Sequence, residues 1–335
     1  MTVLSKDSVQ FLSVCAESAG QRLDNYLIRE LKGVPKSHIQ RIIRSGEVRL
    51  NKKRCKGTDR IAANDQIRLP PIRVASSHTS VPTLAIPAQE FAIVYEDDVL
   101  LVINKPSGIA VHGGSGISFG VIEQLRRARP EARYLELVHR LDKDTSGLLM
   151  IAKKRSALVK LHESIRQNHP HKVYLALAVG TWPEKVRQVK CPLLKYTGAQ
   201  GEKMVRIASN AQEGQRAHTQ FRVLQHYAGD QLHAVGIKAL TLMEATLKTG
   251  RTHQIRVHMQ SQLCPIAGDE RYGDYQINRR LHKIGLKRMF LHAAELTLAH
   301  PVSGDILQLT APLPDELQQF LHNLPVVSGQ SSQQS

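Results

Sequence analysis

The stretch HRLDKDTSGLLMIAKK, residues 139–154, places a dense polar loop directly before an apolar run. Residues 135–138 and 148–152 are rich in Leu, Val and Ile, which predicts two buried β-strands with this loop between them. The loop carries two carboxylates, Asp142 and Asp144, that alternate with basic side chains. A polar loop between buried strands is often only a turn, but a rigid scaffold also presents catalytic groups on such loops. Both interpretations stand at this point.

A second polar cluster, GRTHQIRVH at residues 250–258, is a candidate partner for this loop. An aspartate that acts as a nucleophile in a dry pocket must stay ionised, although burial raises the pKa of a carboxyl group. A nearby arginine counteracts burial, and this cluster contains two. His253 and His258 lie five residues apart, which suits neither one helix face nor one strand face. We therefore expect no metal site in this chain, which also lacks HExxH and a Walker glycine loop.

Outward from the loop, residues 91–325 have the pattern of a mixed α+β domain with a mainly antiparallel sheet. Helices are expected near residues 119–125 and 156–165, where apolar residues recur at helical spacing. Strands are predicted over residues 91–95, 99–103, 148–152, 173–179, 217–224, 240–247 and 256–259. The Pro- and Ser-rich residues 73–90 predict a linker, and the polar residues 326–335 predict a disordered tail.

Residues 15–72 predict a separate, small α/β domain with one strongly basic surface. Apolar residues at helical spacing predict two helices there, near residues 23–31 and 37–44. Between Lys32 and Arg60, ten basic residues are opposed by only two acidic ones. Their clustering on the second helix and the following loop favours contact with RNA or DNA over an ordinary solvated surface. The candidate contact residues are Lys36, Arg41, Arg44, Arg49, Lys52 and Lys53.

The composition narrows the class of partner. The chain has 335 residues, a formal net charge of +17 at pH 7 and 41% hydrophobic residues, so it can pack a core and attract a polyanion. No apolar run approaches the roughly 20 residues that span a bilayer, and we expect no membrane partner. The four cysteines are scattered, which disfavours a disulfide framework and favours the reducing cytoplasm.

Five ordered motifs between residues 91 and 312 resemble the RluA-type pseudouridine synthases. They are HRLD with TSG at 139–147, NKPSG with HGG at 104–114, KVYLA at 172–176, TGRTHQIRVH at 249–258 and FLHAAEL at 290–296. The basic segment near residues 20–70 resembles the small RNA-binding domain, named after a small-subunit ribosomal protein, that is often fused to this catalytic domain. No departure occurs at a position that the family uses for chemistry.

The resemblance implies a role for five residues. The catalytic aspartate of the family falls on Asp142 and not on its neighbour two residues later. Its basic partner falls on Arg256, and the tyrosine that packs under the uracil falls on Tyr174. The arginine that replaces the flipped base falls on Arg140, and the apolar residue that closes the pocket falls on Leu291.

The activity that the resemblance implies is isomerisation of uridine to pseudouridine in large-subunit ribosomal RNA by a monomeric enzyme. Substrate and product are isomers, so we expect no cofactor. Asp142 would attack the sugar anomeric carbon or the uracil ring, or would act through a glycal, and the sequence does not choose among these routes. Two alternatives stay open: a non-catalytic RNA-binding ribosome assembly factor, and the same chemistry on transfer RNA.

Overall fold

A computed structural model describes residues 8–31, 34–72, 86–113, 119–198, 201–210 and 212–327. The chain divides into two compact units, residues 1–85 and 86–335. Most of the predicted linker, residues 73–85, lies outside the described residues, and residues 86–90 have no regular secondary structure.

The first unit is a four-stranded antiparallel sheet with two helices. Its elements are β1 (Gln10–Ser13), a short 3-10 helix (Ala16–Ser18), α1 (Leu23–Glu30), α2 (Lys36–Arg44), β2 (Arg49–Leu50), β3 (Lys53–Arg54) and β4 (Gln66–Leu69). The strand order is β1-β4-β2-β3. Strand β1 pairs with β4 over its whole length, so the sheet begins before residue 15, where the sequence pattern placed the start of this domain.

The helices of this unit form because their apolar residues recur at helical spacing. In α2, Ile39, Ile42 and Ile43 are buried against the sheet, while Arg41 and Arg44 stay exposed on the opposite face.

The second unit contains the remaining elements. They are β5 (Ile93–Glu96), β6 (Leu100–Lys105), α3 (Val121–Ala128), β7 (Glu136–Leu137), β8 (Ser146–Ala152), α4 (Arg155–Arg166), β9 (His171–Val179), β10 (Gln188–Val189), β11 (Leu193–Thr197), β12 (Lys203–Ile207), β13 (Thr219–Tyr227), α5 (Asp230–Ala234), β14 (Leu240–Leu247), α6 (Gln254–Ser261), α7 (Tyr275–Lys283), β15 (Leu291–Ala299), β16 (Ile306–Thr310) and α8 (Asp315–His322).

A single large sheet dominates this unit, in the order β10-β13-β14-β9-β15-β8-β6-β5. Strand β16 pairs with β15, β7 pairs with β8, and β11 and β12 form a hairpin of their own. Within the described residues, β15 and β8 are the one parallel pair. The predicted fold class, α+β with a mainly antiparallel mixed sheet, is confirmed.

Strand β8 shows why the run after HRLDKDTSG is so uniformly apolar. Leu149 and Ile151 face a core cluster that includes side chains of α3, whereas Leu148 and Met150 face a second cluster that includes side chains of α4. A strand that is covered on both faces has apolar residues at every position, so its sequence does not alternate between apolar and polar residues.

Two sequence-based expectations are wrong. Residues 256–259 are not a strand but lie in α6, where all residues from Gln254 to Met259 are buried. A helix that is buried on every side loses the amphipathic period by which helices are recognised. The tail does not begin at residue 326, because Val326 bridges to Tyr227 and the Val327 amide donates to the His226 carbonyl. Residues 328–335 lie outside the described part.

Candidate active site

A cleft of about 520 Å³ opens where the loop before β8 meets β9, the start of β15 and the start of α6. All five residues to which the family resemblance gave a role line it: Arg140, Asp142, Tyr174, Arg256 and Leu291. Residues more than a hundred positions apart therefore share one cleft, as the ordered motifs indicated. The HGG motif is not part of its lining, and residues 114–118 lie outside the described residues.

Asp142 lies at one end of a chain of three charged side chains, with Arg256 at its centre. Its Oδ2 atom accepts a hydrogen bond from Arg256 Nη1 at 3.2 Å, and its side chain is 18% exposed. The other edge of the same guanidinium grips Asp269, with Nε to Oδ2 and Nη2 to Oδ1 both at 2.8 Å. The Asp269 side chain is completely buried and also accepts from the backbone amides of Arg271 and Tyr272. A bidentate pair of this kind fixes the arginine in one orientation.

The electrostatics of this chain favour the charged forms. Burial lowers the pKa of Arg256, but the bonds to Asp269 and the nearby Asp142 charge outweigh burial and raise it above its ordinary value. Burial raises the pKa of Asp269, but the bonds and charge of Arg256 outweigh it and hold this pKa below the usual range. Arg256 is thus a permanent cation beside Asp142.

Tyr174 forms the floor of the cleft. It lies on β9, where its neighbours across the sheet are Ala245 and Ala293, and these small side chains leave the ring room. The residue is buried, and burial together with the charge of Asp142 raises the pKa of its hydroxyl. Leu291 is buried at the start of β15 and contributes an apolar wall. Arg140 is exposed, and its side chain makes no hydrogen bond or ion pair to any described residue.

A buried lysine and a partly buried arginine hold the loop that carries Asp142. The Lys105 ammonium at the end of β6 donates to three carbonyl oxygens at 2.8 to 3.1 Å, those of Pro106, Ile109 and Lys143. Burial, assisted by the charge of Arg288, lowers the pKa of this lysine to about 7. Arg288 Nη2 donates to the Ser146 hydroxyl at 2.8 Å and to the Leu291 carbonyl at 3.3 Å. Lys105 of NKPSG and Arg288, two residues before FLHAAEL, therefore support the loop. Of these two motifs, only Leu291 lines the cleft.

Glycine is required where β8 passes β15. Gly147 pairs with Ala293 in the parallel register, its φ is +109°, and a Cβ there would overlap the Ala293 carbonyl oxygen. The TSG sequence thus permits the close approach that brings Leu291 beside Asp142.

Four residues near Asp142 were missed by the sequence reasoning. His253 and Lys172 lay inside quoted motifs but received no role, while Asp269 and Tyr272 carried no signal in the sequence. Lys172 lines the cleft two residues before Tyr174, and it has no hydrogen bond or ion pair to the described residues. Burial lowers its pKa to about 8.

The six basic residues predicted to contact RNA lie on α2, β2, β3 and the turn between these strands. Lys36, Arg41, Arg44, Lys52 and Lys53 are exposed, and Arg49 is partly buried. The strand register also forms a row of three arginines that the sequence did not indicate. Arg49 on β2 pairs with Arg54 on β3 and with Arg68 on β4. Phe11, 63% exposed, continues that row on β1.

Metal ligands do not cluster in the described part of the chain, where no three His, Cys, Asp or Glu side chains are close enough to share an ion. His258, one member of the histidine pair considered above, lies 2.9 Å from the Thr219 hydroxyl and 3.3 Å from the Cys191 carbonyl oxygen. Across the same described ranges, no helix is long and apolar enough to cross a bilayer.

Comparison with known proteins agrees with this geometry. The family model for RNA pseudouridylate synthase matches residues 99–261, and the S4 domain model matches residues 21–67. Human RNA Pseudouridylate Synthase Domain Containing 4 is 27% identical, with a TM-score of 0.54 over 69% of this chain and 92% of its own.

Two curated relatives cover nearly the whole chain. Ribosomal large subunit pseudouridine synthase C of Escherichia coli O157:H7 is 51% identical over 322 residues, or 95% of this chain and 97% of its own. The protein of the same name from Pasteurella multocida is 48% identical over 317 residues, covering 94% and 93%. The layout of the basic segment and the five motifs also resembles synthase C, and these relatives confirm that resemblance. With these identities over almost its full length, the chain belongs to the RNA pseudouridylate synthase family.

Proposed function

We propose that the protein isomerises uridine to pseudouridine in large-subunit ribosomal RNA, with Asp142 as its catalytic residue. The observation that carries the proposal is the contact of Asp142 with Arg256 in a cleft that also holds Tyr174. Asp144, the other carboxylate of the loop, is exposed and does not line the cleft. The relatives that cover nearly the whole chain are named for this reaction on this class of RNA.

The reaction breaks the bond between uracil N1 and sugar C1′, turns the base, and joins C5 to C1′; C5 loses its proton and N1 gains one, so product and substrate are isomers. Nothing is added from outside, so a single carboxylate suffices, whereas hydrolysis of a glycosidic bond requires a pair to manage the incoming water. Arg256 balances the charge of Asp142 while its second edge stays fixed on Asp269. Attack by Asp142 on the sugar, attack on the ring, and a glycal route are all compatible with this arrangement.

The target uridine must leave its stack to reach Asp142, at a cost of a few kcal/mol. We assign Tyr174 to the face of the flipped uracil and Leu291 to the wall that closes over it. Arg140 is free to enter the gap left in the RNA, because no described side chain binds its guanidinium. Lys172, Lys248 and Arg251 also line the cleft and would attract the neighbouring phosphates.

The S4 domain is assigned to RNA binding through Lys36, Arg41, Arg44, Arg49, Lys52 and Lys53. Their exposure and shared charge support this role. We propose that the protein acts as a monomer in the cytoplasm, where ribosomal RNA is made in bacteria such as those of the relatives. Light scattering of the purified protein, alone and with RNA, tests whether it is a monomer.

The deciding experiment maps pseudouridine in ribosomal and transfer RNA from cells with and without this gene. We expect sites in large-subunit RNA to disappear and to return when the wild-type gene, but not one with Asp142→Asn, is restored. Loss of sites in transfer RNA alone would reassign the substrate. An unchanged map in every RNA would support a non-catalytic role in ribosome assembly.

A further inference from the structure

We propose that His253 is a positioning residue for Asp142. Together with Arg256 it holds one carboxylate oxygen, Oδ2, and leaves Oδ1 as the oxygen that meets the substrate. The inference rests on the proposed function of Asp142, and it adds a residue to which neither the family resemblance nor the motifs gave a role.

The contacts of Asp142 are one-sided. Arg256 Nη1 lies 3.2 Å from Oδ2, and His253 Nε2 lies 3.7 Å from the same oxygen. Among the described residues, Oδ1 has no hydrogen-bond partner. His253 is the residue before α6 and Arg256 lies in the first turn of that helix, and both side chains reach the same Asp142 oxygen. The start of α6 therefore grips Asp142 at two points.

The hydrogen bonds behind His253 favour one position for its ring hydrogen. The Val205 backbone N–H in β12 donates to the Tyr272 hydroxyl oxygen at 3.0 Å. The hydroxyl oxygen lies 2.7 Å from His253 Nδ1. We assign the hydroxyl hydrogen to this contact, because the Tyr272 hydroxyl has no other acceptor among the described residues. With Nδ1 as acceptor, a neutral ring carries its hydrogen on Nε2, which is the nitrogen that faces Asp142. Burial lowers the pKa of His253 to about 4, so the ring is neutral at pH 7.

The backbone of His253 adopts an unfavourable conformation at the start of α6. Its φ of +54° and ψ of 21° lie in the left-handed region, which a residue with a Cβ adopts at an energetic cost. Tyr272 packs edge-on against the imidazole, with ring centroids 5.5 Å apart, and fixes it there. The Arg256 guanidinium lies over the same tyrosine ring, 5.0 Å from its centroid. Tyr272 thus orients both groups that contact Asp142.

A neutral donor is a suitable second contact for a reacting carboxylate. Arg256 already supplies one positive charge, and a further full charge would weaken the carboxylate as a nucleophile. A neutral N–H restricts the rotation of the carboxylate without neutralising it. Contacts that are long in the free enzyme, such as 3.7 Å, commonly tighten when substrate binds.

Two amide variants separate this role from simple packing. In His253→Gln, the side-chain NH₂ can reach the position of Nε2, whereas in His253→Asn it falls near Nδ1 and cannot reach Asp142. We expect His253→Asn to lower kcat by roughly 10- to 100-fold with little change in KM. His253→Gln should recover most of that loss, although Asn tolerates the left-handed backbone better than Gln. His233→Asn, on an exposed residue of α5, is the control. Equal kcat for the two variants, or a change in KM alone, would overturn the proposal.

The double variant tests whether Tyr272 acts through His253. Tyr272→Phe should lower kcat in the wild-type background and change it no further in the His253→Asn background. An equal effect in both backgrounds would show that Tyr272 acts independently.

A readout without turnover keeps this inference distinct from the proposed activity. The ¹⁵N chemical shifts of labelled histidine report which ring nitrogen carries hydrogen. We expect His253 to be protonated on Nε2 in the wild type and to shift toward the Nδ1 form in Tyr272→Phe. Protonation on Nδ1 in the wild type would refute the proposal, whether or not the enzyme acts on ribosomal RNA.

Discussion

Asp142 and Asp144 are separated by one residue, yet only Asp142 faces the cleft and Arg256. The Asp144 carbonyl accepts a hydrogen bond from the Ser107 hydroxyl at 2.8 Å, so the backbone of that residue supports the loop while its side chain stays exposed. The two carboxylates provide a matched comparison within one loop.

Asp142→Asn should abolish isomerisation, with a loss of roughly 10⁴-fold or more, because an amide cannot replace the ionised carboxylate. Folding and RNA affinity should be retained, since the two side chains are nearly isosteric. Release of tritium from uracil C5 in a labelled transcript measures the turnover. Asp144→Asn should stay within about twofold of the wild type, as surface substitutions usually do. Similar losses in the two variants would refute the assignment of Asp142.

His139, the first residue of HRLD, titrates in a way that links pH to stability. Its Nε2 atom accepts the Met150 backbone N–H at 3.1 Å, and burial lowers its pKa from 6.5 to about 3. In the unfolded chain His139 is therefore protonated below pH 6.5, whereas in the folded chain it stays neutral until the pH approaches 3. The contribution of a neutral His139 to the free energy of unfolding is fully present above pH 6.5 and is lost as the pH falls toward 3.

The variant His139→Gln keeps an acceptor for the Met150 amide and does not titrate. Between pH 6 and pH 4.5, its free energy of unfolding should fall by about 1.4 kcal/mol less per pH unit than that of the wild type. Urea unfolding followed by the fluorescence of Trp182, the single tryptophan, measures this difference. His258, whose pKa burial lowers to about 4, still titrates in both proteins. If the free energy of unfolding of the two proteins depends on pH in the same way, His139 is not a source of the acid sensitivity.

At the scale of elements, the parallel pairing of β8 with β15 positions the cleft. Gly147→Ala should lower the free energy of unfolding by about 3 kcal/mol or more, because it adds a backbone clash to an unfavourable φ. It should also lower kcat, since Leu291 and the loop of Asp142 depend on this pairing. Calorimetry and tritium release measure the two effects.

Gly304→Ala is the control for this variant. Its φ of +83° is also positive, but nothing lies within 4 Å of the added methyl group. It should cost only about 1 kcal/mol and leave kcat unchanged. A Gly147→Ala protein that is no less stable than Gly304→Ala would show that β15 tolerates a side chain at that contact.

Much of this fold was predictable because its strands are short apolar runs with turns between them. The same reasoning failed for α6, whose complete burial removes the helical period, and it left out the hairpin of β11 and β12, where polar and apolar residues alternate weakly. For the candidate site, motifs predicted that Asp142 and Arg256 lie together, and the two side chains are in contact. Asp269 and Tyr272 stayed hidden because their importance arises from contacts across the fold and not from local pattern.

At the scale of the whole molecule, the charge of the S4 domain should govern RNA affinity. Each phosphate contact contributes about −0.7 to −0.9 to the slope of log affinity against log salt concentration. Arg41→Glu with Arg44→Glu should therefore flatten that slope by roughly 1.5 while leaving Ile39, Ile42 and Ile43 packed. Filter binding of a ribosomal RNA fragment between low and moderate salt gives the slope.

The control for net charge is Lys185→Glu with Lys238→Glu, which reverses two exposed lysines of the second unit outside the cleft. It changes the total charge by the same amount. If both double variants flatten the slope equally, the S4 domain acts only through the overall charge. If neither does, α2 does not touch this RNA.

Strand β15 lies in the middle of the large sheet, and this position determines when the enzyme can become active during its own synthesis. Strand β15 comes from residues 291–299, yet it lies between β9 and β8, and His292 contacts Ser146 across 146 positions of chain. In a nascent chain that still holds β15 inside the ribosomal exit tunnel, the sheet is divided between β9 and β8, and the cleft has no wall at Leu291. The catalytic unit therefore matures only after β15 has been translated and has left the tunnel.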